Sequence, residues 1–133
     1  MSANGCKSIL CVDDEGSGLS VRKAVLESQG YRVFAAENGR DALALFSSQA
    51  IDLVVLDYAM PEMHGGMVAE RMKELRPAVP ILLLSAYLDL PREALAFVDK
   101  TVTKGESPTV VLGAIAEMLS GPPGVPVRGT SAG

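Results

Sequence analysis

Three short runs in this chain are apolar without alternation: Ser8–Val12 (SILCV), residues 51–56 (IDLVVL, broken only by Asp52) and residues 81–84 (ILLL). A strand with one face in water alternates apolar and polar side chains, so a run without alternation has to be covered on both faces, as in the parallel sheets of α/β proteins. The 51–56 run delivers a carboxylate, Asp57, to its end. In open α/β sheets ligands sit beyond the carboxyl ends of the strands, so Asp57 stands where chemistry is expected. Pro61 has no N–H to continue a ladder, and Gly65-Gly66 frees the backbone to turn into a following helix.

The first run ends in Asp13-Asp14-Glu15. Three adjacent carboxylates repel one another, which a solvated turn tolerates and a bound cation offsets; the position at a strand end favours the cation site. Gly16-Ser17-Gly18 opens a helical stretch to Gln29, stopped by Gly30. A phosphate-binding glycine loop is disfavoured, because a third glycine near Val21 is missing and acids would face the anion. Residues 31–36 read as a mixed edge strand, and Asn38-Gly39 as a turn. Ala42, Leu45 and Phe46 then mark an amphipathic helix, and Val68, Met72 and Leu75 a third, closed by Arg76-Pro77. The 81–84 run ends at Ser85. Residues 91–98 suggest a short helix with Pro91 in its first turn, and residues 100–104 a weak fifth strand. Ser107-Pro108 should cap a last helix with Val111, Ile115, Met118 and Leu119 as its buried stripe, ended by Gly121.

Strands alternating with helices imply a doubly wound five-stranded parallel α/β sheet with five helices, flavodoxin-like in its order 2-1-3-4-5, since the apolar first, third and fourth strands belong in the centre. That order gathers Asp13, Asp14 and Asp57 at the switch point, with Ser85 beside them and Lys104 beyond. The 133 residues suit one domain at 1–120, and the Pro/Gly-rich residues 121–133 read as a flexible tail or the start of a linker. A net charge of −4 with scattered cations argues against nucleic acid as a partner. No apolar stretch approaches the ~20 residues of a membrane span, so a cytoplasmic protein is expected. Cys6 and Cys11 match no metal spacing and read as idle thiols.

VDDE, LDYAMPEMHG, LLLSAY and VTKGESP, each at a strand end, resemble the receiver domain of bacterial two-component response regulators, chemotaxis-regulator-like in extent, over residues 7–119. The resemblance implies that Asp57 accepts a phosphoryl group, that Asp13, Asp14, Asp57 and the Ala59 backbone carbonyl hold Mg²⁺, and that Ser85 and Lys104 contact the phosphoryl oxygens. The implied partners are a sensor histidine kinase or phosphotransfer protein and a downstream protein target. Two other readings are a phosphohydrolase with Asp57 as nucleophile and a phosphorylation-independent adaptor. The first lacks the second acid two positions on, where Ala59 stands; the second leaves intact acids, Ser85 and Lys104 unexplained. A phosphohistidine or metal role for His64 is disfavoured for want of a suitably spaced partner.

Three features depart from the family. Thr101 stands where receivers usually carry a switching aromatic, Gly105 replaces a proline after the lysine, and Ser85 and Lys104 are 19 positions apart, about three fewer than usual. The expected consequence is that switching is carried by the shortened segment 88–100.

Overall fold

The computed structural model describes residues 6–87 and 89–120. Its elements alternate as β1 (Ser8–Val12), α1 (Gly16–Ser28), β2 (Arg32–Ala36), α2 (Gly39–Ser48), β3 (Leu53–Asp57), α3 (Gly65–Leu75), β4 (Ile81–Ser85), α4 (Arg92–Leu95), β5 (Lys100–Thr103) and α5 (Pro108–Leu119). The strands form one parallel sheet ordered β2-β1-β3-β4-β5, as the distribution of apolar runs requires.

All side chains of β1, β3 and β4 are buried, and they divide by parity. Leu10, Val12, Val54, Leu56, Ile81 and Leu83 pack with Ala42 and Phe46 of α2 and Val68, Ala69 and Met72 of α3. On the other face Ile9, Cys11, Leu53, Val55, Leu82 and Leu84 pack with Leu19 and Leu26 of α1 and Ala114 and Ile115 of α5. Two separate apolar layers therefore need the same strands, which is why the sequence shows no alternation there.

Asp52 does not extend β3. Its carboxylate accepts the Ser8 amide at 2.7 Å, and its own amide donates to the Ser8 carbonyl at 2.8 Å, so it pins the entrances of β1 and β3 together. Gly30 ends α1 with φ 94°, a left-handed conformation that glycine adopts without steric cost. Asn38 proves to be the N-cap of α2, its side chain accepting the Asp41 amide at 2.8 Å.

Two expectations need correction. The helix expected at 91–98 shrinks to Arg92–Leu95, with Pro91 as its N-cap at φ −64°, ψ 151° rather than inside its first turn. Ser107 is the N-cap of α5 with Pro108 in the first turn, as expected, although its hydroxyl makes no capping bond. The buried residues of α5 are Ala114 and Ile115, whereas Val111, Met118 and Leu119 are only partly covered. Leu88, Gly121 and the expected tail at 121–133 lie outside the described residues.

Candidate functional site

The carboxyl ends of β1, β3, β4 and β5 converge on one rim. Asp13 follows β1, its amide donating to the Ala36 carbonyl at 3.1 Å. Asp57 is the last residue of β3 and lies in register with Leu84. Ser85 ends β4 opposite Thr103, and its carbonyl accepts the Lys104 amide at 2.8 Å, which brings Lys104 to the rim just beyond β5.

The side chains meet as the strand order implies. Lys104 Nζ lies 3.0 Å from Asp57 Oδ1 and 3.4 Å from Asp13 Oδ2. Asp13, Asp14 and Asp57 each offer a carboxylate oxygen, and these atoms lie within 4.8 Å of one another. Asp13 and Asp57 are 1% and 2% exposed, so their charges are not dispersed into water. Asp57 Oδ2 is the one buried polar side-chain atom among the described residues without a hydrogen-bond partner. A buried carboxylate oxygen left unpaired costs roughly 1–3 kcal/mol or more, which an incoming cation or electrophile would relieve.

Electrostatics separate the two buried acids. Burial, reinforced by the Asp13 and Asp14 charges, pushes Asp57 up to about 6 against the pull of Lys104. Burial also opposes ionisation of Asp13, but the Glu15 amide, at 2.9 Å from its Oδ1, and the Arg22 guanidinium prevail and hold its carboxyl below the usual range. Lys104 loses hydration, yet its hydrogen bond to Asp57 and the Asp57 and Asp13 charges together outweigh that and raise its pKa. At neutral pH Asp57 is thus mostly an anion, held by one cation, with one oxygen free to attack or ligate.

The loop after Asp57 is fixed by backbone rather than side chains. Met63 N–H donates to the Pro61 carbonyl at 2.7 Å around Glu62, whose φ is 71°, a strained three-residue turn. Gly65 N–H donates to the Tyr58 carbonyl at 2.8 Å, and a Cβ on Gly65 would lie 2.6 Å from the Asp57 carbonyl oxygen. Only glycine lets α3 begin this close behind the acid. Ala59 is exposed in this loop, two positions after Asp57. His64, the sole histidine, is the N-cap of α3, its Nδ1 accepting the Met67 amide at 3.3 Å; that capping role was not foreseen.

One further residue, Arg22, was missed by sequence reasoning. Arg22 Nη1, from α1, sits 3.1 Å from Asp13 Oδ2, one helical turn beyond Gly18. Tyr87 donates its amide to Ser85 Oγ at 2.9 Å, so the Ser85 hydroxyl is engaged locally, and Tyr87 itself is 60% exposed. Thr101 lines a cavity of about 160 Å³ with Ser85, Tyr87, Leu90 and Leu95. No helix among the described residues is long and apolar enough to cross a membrane.

An all-oxygen donor set with an unpaired carboxylate oxygen suits a hard divalent cation such as Mg²⁺ and offers nothing to a soft metal. Comparisons with known proteins point the same way. Residues 9–115 match the family profile of the response regulator receiver domain. The transcriptional regulatory protein ZraR of Escherichia coli is 42% identical over 79 residues, 59% of this chain but only 18% of that protein, so the chain spans a small fraction of such a relative. A CheY-like receiver domain from Methanospirillum hungatei superposes with TM-score 0.82 at 29% identity, covering 87% of this chain and 95% of that one. TrrA of Thermotoga maritima, solved with Mg²⁺ and BeF, gives 0.78 at 34% identity, covering 85% and 99%. With the acids, the lysine and the 2-1-3-4-5 sheet arranged as described, the chain belongs to the response regulator receiver domain family.

Proposed function

We propose that Asp57 is the phosphoacceptor of a two-component signalling switch, that Asp13, Asp14, Asp57 and the Ala59 carbonyl hold Mg²⁺, and that Ser85 and Lys104 bind the phosphoryl oxygens. The observation that carries this reading is Asp57 itself: buried, clamped by Lys104 through Oδ1, and unpaired at Oδ2. A carboxylate oxygen of Asp57 attacks the phosphorus of a phosphohistidine, the P–N bond breaks with its electron pair leaving on the imidazole, and an acyl phosphate results. When bound, Mg²⁺ neutralises charge on the phosphoryl oxygens and orients them. Lys104 stabilises the same charge from the side of β5, and the Asp57 backbone, braced by Gly65, keeps the carboxylate in place.

The donor is a sensor histidine kinase or phosphotransfer protein, and the output is a protein surface rather than a turnover reaction. Hydrolysis of the acyl phosphate is slow self-dephosphorylation, because at Ala59 no second acid is available to activate water as a phosphohydrolase requires. Residues 1–120 act as the domain, in the cytoplasm, with 121–133 as its tail or the beginning of a linker.

Switching follows from the Ser85–Tyr87 contact. A hydroxyl drawn toward a phosphoryl oxygen releases the Tyr87 amide and alters the segment leading into α4. Thr101 lies at the cavity edge but has no ring to fill it, and so forfeits most of the ~1.5–3 kcal/mol that burying a large apolar side chain contributes. With Mg²⁺ and beryllofluoride, amide NMR shifts are therefore expected around Asp57 and Ser85 and through residues 88–100. Thr101→Ala should leave these shifts nearly intact; their collapse in the variant would make Thr101 the switch.

A further inference from the structure

The acidic pocket contains a cation that phosphoryl transfer does not use. Arg22 places Nη1 3.1 Å from Asp13 Oδ2, the oxygen that also faces Lys104 at 3.4 Å, while Asp13 Oδ1 is taken by the Glu15 amide at 2.9 Å. Both oxygens of one proposed metal ligand are thus engaged inside the protein. The Arg22 side chain is 19% exposed and that of Asp13 1%, so the pair is shielded from solvent and from screening salt. Gly18, a turn earlier, keeps the approach open: a Cβ there would already lie 3.9 Å from Asp13 Oδ2 and 3.8 Å from Glu15 Oε1, and a longer side chain would enter the space between. Arg22 also lines an apolar groove between α1 and α5 of about 310 Å³, with Val21, Val25, Val111 and Leu112, against which its aliphatic stem can rest while the guanidinium turns out to water when it leaves Asp13.

Three carboxylates face two cations in this pocket. An arginine cannot lose its proton, so its charge offsets carboxylate repulsion at every working pH, as a divalent metal would. Two cations on one carboxylate oxygen repel each other, and each lowers what the other gains by binding there.

We infer that Arg22 is a resident counter-ion that competes with the divalent metal for Asp13, and so raises the Mg²⁺ concentration at which the site fills. The inference rests on the metal reading given above. Arg22 sets metal affinity through Asp13 and takes no part in bond making or breaking.

Mg²⁺ titration by calorimetry, without phosphodonor, tests this on the wild type, Arg22→Met, Arg22→Gln and Arg22→Lys. Methionine preserves the apolar stem against the groove, so that variant keeps its fold even where glutamine does not. Loss of one adjacent unit charge should tighten Mg²⁺ binding about three- to tenfold in the methionine and glutamine variants. Lysine keeps the charge and should stay near wild type. The urea midpoint of the metal-free methionine variant should fall, and saturating Mg²⁺ should raise it by more than it raises the wild type's. Equal or weaker Mg²⁺ binding in Arg22→Met, with the wild type binding normally, would overturn the competition alone. A wild type that binds no Mg²⁺ would overturn the metal reading and this inference together.

Discussion

Lys104→Met is expected to slow phosphorylation of Asp57 by acetyl phosphate about 100-fold, the usual loss when one preorganised charge facing a developing anion is removed. Lys104 lies 3.0 Å from Asp57 Oδ1, and its ammonium is the cation paired with that carboxylate among the described residues. Hydrolysis of the acyl phosphate develops charge on the same phosphoryl oxygens, so it should slow as well, and the phosphorylated protein should live longer once formed. The fold should survive, since Lys104 is partly exposed and Asp13 keeps Arg22. Time courses of intact mass for both directions check this. Rates within about threefold of wild type would remove Lys104 from the phosphoryl-binding role.

Asp57→Asn should stabilise the metal-free protein at pH 7.5, by about 2 kcal/mol. In the folded chain burial and the neighbouring acids push the Asp57 pKa up to about 6 from 3.8. A carboxyl with a raised folded-state pKa binds its proton more tightly in the native than in the unfolded chain. Its contribution therefore improves as pH falls from above 6 toward 4, and at neutral pH its ionised form costs stability. Asparagine removes that cost. The advantage of the variant should shrink as pH drops through 6 and be nearly gone by about pH 4, where the wild-type carboxyl is itself neutral in the folded state. Saturating Mg²⁺ should reverse the order at pH 7.5 by stabilising the wild type through binding. Urea unfolding with chelator, with Mg²⁺, and across this pH range measures all three. A metal-free variant less stable than wild type at pH 7.5 would mean that the Lys104 pair outweighs the desolvation of Asp57.

On the proposed reading the site around Asp57 trades stability for reactivity, and its parts differ in how far the sequence reveals them. Asp13, Asp14, Asp57 and Ser85 were legible because each ends or follows an apolar run, and Lys104 because it closes the weak fifth strand; strand order alone brings such ends together. The bounds of β1 coincide with its apolar run, and β4 extends its run by one residue, to Ser85. Asp52 looked like an interruption of a strand and is instead a bridge to Ser8, a tertiary bond that composition does not encode. The short α4 was overestimated mostly at its far end, where the chain leaves the helix after Leu95 in a turn closed by the Val98 amide on the Leu95 carbonyl, and by one residue at Pro91, whose φ suits either an N-cap or a first-turn position. Arg22 was hidden for a different reason. It lies in α1 like any surface cation, and only the absence of a side chain at Gly18, four residues earlier on the same face, hinted that it could reach back to Asp13. His64 was read for its chemistry, although a histidine immediately before Gly65-Gly66 can equally accept a backbone N–H at a helix start, as it does here.

The central claim is that Asp57 is the phosphoacceptor and that the metal site beside it is required. Incubating the protein with acetyl phosphate, with Mg²⁺ or with chelator, and reading intact mass together with the modified residue after borohydride trapping tests it directly. The account predicts one phosphate, on Asp57, formed with Mg²⁺ and absent both with chelator and in Asp57→Asn; a phosphate gained by Asp57→Asn at the wild-type rate, or by the wild type equally without metal, would contradict it.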